Sequence, residues 1–211
     1  MKRTDILKRA QSVVNYIQNV PAVQEGLTRV GFTEADTTRG KALIQKVQML
    51  NVAQQKEYGD RYQATDELVQ ARQQARELYM HHLETARLVL KKQRSVWKTL
   101  AMSGARKTDL FGWLAQAQTF YNNVHLVAPI LAQHNLAEAE LQQGGSMINA
   151  VVDAHNARHK EDNEAQTATQ ECHTALAELK AWMRRFTMSA RLAFVDNPSA
   201  LKGLGLVSVG V

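Results

Sequence analysis

The sequence predicts an all-α fold, an elongated helical bundle, and three observations predict it. Apolar residues recur at steps of three and four through most of the chain, the period of a helix with one buried stripe. Nothing alternates as a strand except the short, glycine-bearing tail at 204–211. The chain also matches itself without a gap at an offset of 104 residues over positions 4–103. That match holds 24 identities in 100 pairs, where this composition gives about 7 by chance.

The self-match sets the expected organisation. Thr4-Asp5 lies over Thr108-Asp109, Asn19-Val20 over Asn123-Val124, Glu34-Ala35 over Glu138-Ala139 and Lys56-Glu57 over Lys160-Glu161. Further on, Ala64-Thr65 meets Ala168-Thr169, Glu67 meets Glu171, Ala86-Arg87-Leu88 meets Ala190-Arg191-Leu192, and Leu100 meets Leu204. Self-similarity at a fixed period marks repeated units. We therefore expect a tandem duplication, one helical unit at 1–104 and a second at 105–211, packed as a single bundle about an approximate internal twofold. Recurring charges such as Glu67/Glu171 and Arg87/Arg191 read as solvated helix-face charges, since exposed ion pairs contribute little.

The elements follow in order. The first stripe runs Ile6, Ala10, Val13, Ile17, Val20, Val23, Leu27, Val30, and its copy Leu110, Leu114, Ala117, Tyr121, Val124, Val127, Leu131. Thr4 and Thr108, each followed by Asp, read as N-caps with a carboxylate in the first turn. Pro21 should break the first helix near Val20, and Pro129 its copy four places later. A second helix is expected from Thr33, with Glu34 and Asp36 in its first turn, and its copy from Asn135 with Glu138 three residues on. Its stripe passes Ile44 and Val47 (Ile148 and Val151), then turns polar at Asn51, Gln54, Tyr58, Arg61 and Thr65 (His155, Arg158, Asp162, Ala165, Thr169). Gly59 and Asn163, equivalent positions that tolerate a left-handed backbone, predict a turn there, although the heptad phase runs on unbroken. A third helix would carry Leu68, Ala75, Tyr79, Ala86, Val89, Val96 and Leu100, its copy Cys172, Leu176, Leu179, Met183, Phe186, Ala190 and Ala193. Asp196-Asn-Pro-Ser199 can cap one further turn, and the apolar tail after it should dock on its own bundle or on a neighbour.

Composition narrows the function classes. A chain of 211 residues, 45% hydrophobic, has ample material for a core. Three prolines and 11 glycines exclude a collagen-like or Pro/Gly-rich chain, and the single cysteine, Cys172, excludes a disulfide framework or a Cys-rich zinc module. The start MKRTDILKRA has no apolar stretch behind its basic residues, and no run approaches the roughly 20 apolar residues of a bilayer span. These features predict a soluble cytoplasmic protein.

Candidate chemistry is sparse. His155 and His159 share a helix face with Asp162 nearby, a candidate metal site, but no Glu lies between the histidines as a zincin requires. Their counterparts are Asn51 and Gln55. No Glu has a His three residues later, which excludes the di-iron carboxylate pattern; Glu77 and His81 are four apart. Cys172 sits on the apolar stripe, His173 beside it points elsewhere, and Gly144-Gly145 lacks the Lys-Ser/Thr of a phosphate loop. Charge is the last lead. The net charge is +6, and residues 1–104 hold 17 Lys/Arg against 10 Asp/Glu, residues 105–211 only 9 against 10. Arg87, Lys91, Lys92, Arg94 and Lys98 form a basic segment beside Trp97 that can neutralise phosphates.

The expectation is a non-enzymatic helical interaction protein, needing no cofactor, that presents helix faces to a protein partner or to itself. The alternative is a nucleic-acid or polyanion-binding helical module using residues 87–98.

Overall fold

The computed structural model describes residues 2–206. Its helices are α1 (Arg3–Asn19), α2 (Pro21–Arg29), α3 (Glu34–Val89), α4 (Arg94–Thr99), α5 (Leu110–Asn123), α6 (Ala128–Ala132), α7 (Glu138–Ala193) and α8 (Pro198–Gly203), with a 3-10 turn at Val124–Leu126. No strand occurs among the described residues, so the fold is all-α. Helices α3 and α7 have 56 residues each and begin 104 positions apart; α4 and α8 have six each, at the same offset. Two compact units result: unit 1 is Met1–Tyr58 with Glu164–Val211, and unit 2 is Gly59–Asn163. Each takes residues from both halves of the sequence.

In unit 1, α1 opens with the Asp5 carboxylate accepting the Lys2 backbone N–H at 3.2 Å. It ends at Val20, where Pro21 starts α2 as its first residue, a position whose missing N–H costs nothing. Thr33 precedes α3, and Asp36 accepts both its N–H (3.0 Å) and its hydroxyl (3.3 Å). Within this unit α3 and α7 run antiparallel: Asp36 meets Trp182 and Arg185, Lys46 meets Glu178, and Gln54 meets Thr169. The stripe residues Ile6, Ala10, Val13, Ile17, Val23 and Leu27 are buried together with Ile44, Val47, Leu179 and Phe186.

The aromatic end of that core explains a glycine. Trp182 stacks on Phe186 (6.0 Å, 14°) and lies against Phe32, while its indole N–H donates to the Asp36 carbonyl at 2.7 Å. The indole occupies the space a Cβ on Gly40 would need, 2.2 Å from Trp182 Cζ2. Its counterpart Gly144 in unit 2 is covered in the same way, by Tyr121. At the other end Asn197 caps α8 by accepting from Ala200 N (3.1 Å), and Leu204 and Leu206 are buried in the unit 1 core. That part of the tail docks on its own chain; residues 207–211 lie outside the described residues.

Unit 2 is built around Tyr79, whose ring makes edge contacts with Trp113 (6.3 Å) and Phe120 (5.7 Å) among Leu83, Ala86, Leu131, Ile148 and Val151. Two arginines secure the connection between α4 and α5. Arg87 donates to the carbonyls of Met102 and Gly104, and Arg106 donates to those of Ala101, Ser103 and Gly104 and to the Tyr79 hydroxyl. The segment is tightly wound, with positive φ at Ala101 (47°) and Gly104 (72°), and its carbonyls point where two guanidinium groups can collect them.

Four local expectations are corrected. No turn forms at Gly59 or Asn163, for α3 and α7 pass through both as uninterrupted helices. A helical glycine costs only about 1 kcal/mol, less than breaking the ladder and the heptad phase on both sides. Helix α7 starts at Glu138 rather than near Asn135. Asn135 adopts φ 62°, closing the preceding turn, and Glu140 accepts the Ala137 N–H at 3.1 Å, as Asp36 does for Thr33 at the offset of 104. The cap of α5 is Asp109, accepting from Gly112 N at 2.7 Å, not Thr108, and Thr4 already lies inside α1. Helix α5 ends at Asn123, ahead of Pro129, which sits in the first turn of α6.

Candidate functional site

Apart from His155, the polar stripe of α3 and α7 is absorbed into structural hydrogen bonds and ion pairs. In unit 1, Arg3 donates to Asn51 Oδ1 and, at 2.9 Å, to Gln54 Oε1. The buried Gln54 amide donates to Thr169 Oγ1 (3.0 Å), which also contacts the Tyr58 hydroxyl (3.2 Å) and donates to the Ala165 carbonyl (2.8 Å). Every group of Thr169 and Gln54 has a partner, so this network fixes the pairing of the helices without presenting a reactive atom.

The metal candidates are occupied separately. The Asp162 carboxylate takes Arg61 Nε at 2.6 Å and Arg158 at 3.2 Å. His159 Nδ1 lies 3.3 Å from the Asn163 amide, and His155 packs edge-on against Phe111 at 5.2 Å with its buried Nδ1 unpartnered. The three do not converge on one point: His155, His159 and Asp162 do not place a ligand atom each within 4.8 Å of one another.

The basic segment is divided by the structure. Helix α3 ends at Val89, a turn follows, and α4 starts at Arg94, so residues 87–98 are not one basic helix. Arg87 is half-buried and committed to the α4–α5 connection. Lys91, Lys92, Arg94 and Lys98 are exposed and pair with no carboxylate among the described residues. Trp97 donates to the Leu90 carbonyl (2.8 Å) and packs on the core, unavailable for stacking. Cys172 is fully buried, as expected of a small core residue.

Two features were not read from the sequence. In unit 2, His82 is buried with Nδ1 3.0 Å from the Tyr121 hydroxyl. Burial, and then the neighbouring His81, hold the His82 pKa below its ordinary value against a weaker opposing pull from Glu140. Burial likewise pushes the Tyr121 phenol well above its ordinary value, reinforced by Tyr79. Both groups are held neutral. Only burial could reveal this pair, because the two residues lie 39 positions apart.

The second feature is a groove in unit 1 of about 480 Å³, between α1 and the last turns of α7. It is lined by Ile6, Met183, Thr187 and Met188 together with the cations Arg9, Lys180 and Arg184. None of the three cations pairs with a carboxylate among the described residues. The acids nearby are engaged elsewhere: Glu178 with Lys46 (2.9 Å), Asp36 with Arg185 (3.2 Å), and Asp5 with the Lys2 N–H. Met188, which lines the groove, is 73% exposed, and past it Leu192 near the end of α7 and Val195 in the following turn are 68% and 70% exposed. No described helix is long and apolar enough to cross a membrane. No protein-family model matches the chain, and no curated protein or solved structure is similar to it.

Proposed function

We propose that this chain is a non-enzymatic, cytoplasmic interaction protein that offers helix surfaces to another polypeptide, a partner or a second copy. One observation carries the reading: Met188 and Leu192, one turn apart at the C-terminal end of α7, and Val195 in the turn that follows are each about 70% exposed. Single exposed apolar residues are ordinary, but three gathered at one helix end, the first of them lining an open groove, are what an unfilled interface offers. The polar residues support it from the other side: those of the α3–α7 stripe other than His155 are held in structural bonds, and among the described residues no acid, base and nucleophile converge on a cleft. The 104-residue recurrence of helix starts, with 24 identities, supports reading the chain as a tandem duplication, which supplies long helices cheaply in sequence terms.

Sedimentation equilibrium of the wild type and of a Met188→Asp/Leu192→Asp variant, each with and without mixed partner candidates, tests it. Both positions are exposed, so the fold is retained and association is lost by at least tenfold. Association unchanged in the variant overturns the assignment of this surface.

A second reading rests on its own observation, the four exposed and unpaired cations Lys91, Lys92, Arg94 and Lys98 around α4. As a polyanion site they would bind duplex DNA with an affinity that falls steeply with salt, and Lys91→Glu/Lys92→Glu would remove it. Four scattered cations without a stacking aromatic make this the lesser reading.

A further inference from the structure

We propose that the groove between α1 and α7 in unit 1 receives an acidic amphipathic helix from a protein partner, an inference that rests on the interaction reading above and names the partner's chemistry. The argument starts from charge. Unit 1 holds 14 Lys/Arg against 9 Asp/Glu, so it carries most of the net charge of the chain. Within it, Lys180 and Arg184 stand four apart on α7, a like-charge spacing that weakens a helix, and Arg9 faces them across the groove. With Glu178, Asp36 and Asp5 engaged elsewhere, these three cations lack an internal counter-charge.

Shape and chemistry of the lining select the rest. Met183 and Met188 give the lining soft, polarizable side chains that can repack around an incoming residue, as in surfaces that accept amphipathic helices. From Lys180 the α7 lining runs through Arg184 to Met188, a rise of about 12 Å, and the exposed Leu192 stands one turn further on. A partner helix of roughly three turns therefore spans the groove and the adjacent Leu192, its apolar residues at i, i+3/i+4 and i+7 seated on Met183, Met188 and Leu192 and its carboxylates reaching Lys180, Arg184 and Arg9. An acyl chain needs most of its surface enclosed, whereas Met188, which lines the groove, is 73% exposed. No strand edge is present among the described residues to pair with an extended peptide.

The probe is a fluorescein-labelled 14-residue peptide with leucines on one helix face and glutamates flanking them, titrated with the full chain in 150 mM NaCl. Its twin replaces every Glu by Gln. The acidic peptide binds at least tenfold tighter than the twin and shifts the 13C-methyl signals of Met183 and Met188. Arg9→Glu/Arg184→Glu lowers its affinity at least tenfold, while Lys41→Glu, an exposed charge outside the groove, changes it less than twofold. Equal binding of the two peptides, or undiminished binding to the double variant, overturns the proposal. So does binding of laurate or phosphatidylglycerol vesicles that depends on Arg9 and Arg184 when the peptide does not bind, which reassigns the groove to an anionic lipid. If the peptide fails while Met188→Asp/Leu192→Asp still abolishes association, this proposal falls and the interaction reading stands; if both fail, both fall.

Discussion

Replacing Gly40 by alanine should destabilise the protein, against the ordinary preference of helices for alanine. In an open helix position the change gains up to about 1 kcal/mol. At Gly40 the new methyl would sit 2.2 Å from Trp182 Cζ2 and 2.4 Å from Cε2. Carbon contacts settle near 3.5 Å or beyond, so the indole must retreat by about 1.3 Å. That movement pulls its N–H, now 2.7 Å from the Asp36 carbonyl, out of bonding range and disturbs its stacking on Phe186. Overpacking contributes about 1–3 kcal/mol and the lost bond about 1 kcal/mol. Offset by the helical gain, the net loss is about 2 kcal/mol. Gly59 is the control: it lies inside the same helix with nothing within 4 Å of its missing Cβ, so Gly59→Ala should stabilise by about 0.5–1 kcal/mol. Urea unfolding followed by circular dichroism at 222 nm reads both. A Gly40→Ala chain as stable as Gly59→Ala would refute the packing of Trp182 on α3, and a destabilising Gly59→Ala would refute the unbroken helix.

Three further predictions concern single contacts. His82 has a folded-state pKa below its unfolded value of about 6.5, so its contribution is present above pH 6.5 and is lost as pH falls below it, toward the folded value. Thermal melts between pH 7.5 and 5 should show this decline in the wild type, less of it in His82→Gln. Arg87→Ala removes the guanidinium that holds the Met102 and Gly104 carbonyls; hydrogen exchange should speed up across 100–108, with a loss of about 1–2 kcal/mol. Asp36→Ala, which uncaps α3 and frees Arg185, should cost about 1 kcal/mol, whereas Arg185→Ala should cost a few tenths by urea unfolding, because the ion pair is exposed.

How much of this was legible in the sequence depends on the range of each signal. The buried stripe Ile6, Ala10, Val13 and Ile17 and the stop before Pro21 are local effects of helical period and proline geometry, and both stand as read. Gly59 misled because a residue that tolerates a turn does not require one; with heptad phase intact on both sides, the helix continues. Gly40 and Gly144 are identical across the 104-residue offset and could have been noticed, yet their reason, an aromatic ring from a distant helix, is tertiary. Arg87 looked like part of a phosphate-binding cluster because backbone carbonyls, its partners, leave no trace in residue identity. The groove was hidden for a similar reason. Met183 is a core position, as read, that also lines the groove, and Arg9 lies 171 residues from Lys180, so only folding places them on one surface.

Native mass spectrometry of the chain isolated from the cells that make it tests the central functional claim most directly, because it weighs whatever the chain holds. The account predicts added mass equal to a polypeptide, a partner or a second copy, that survives chelator. A chain that is monomeric at every concentration, or whose added mass is a metal ion, a small molecule or nucleic acid, would contradict it.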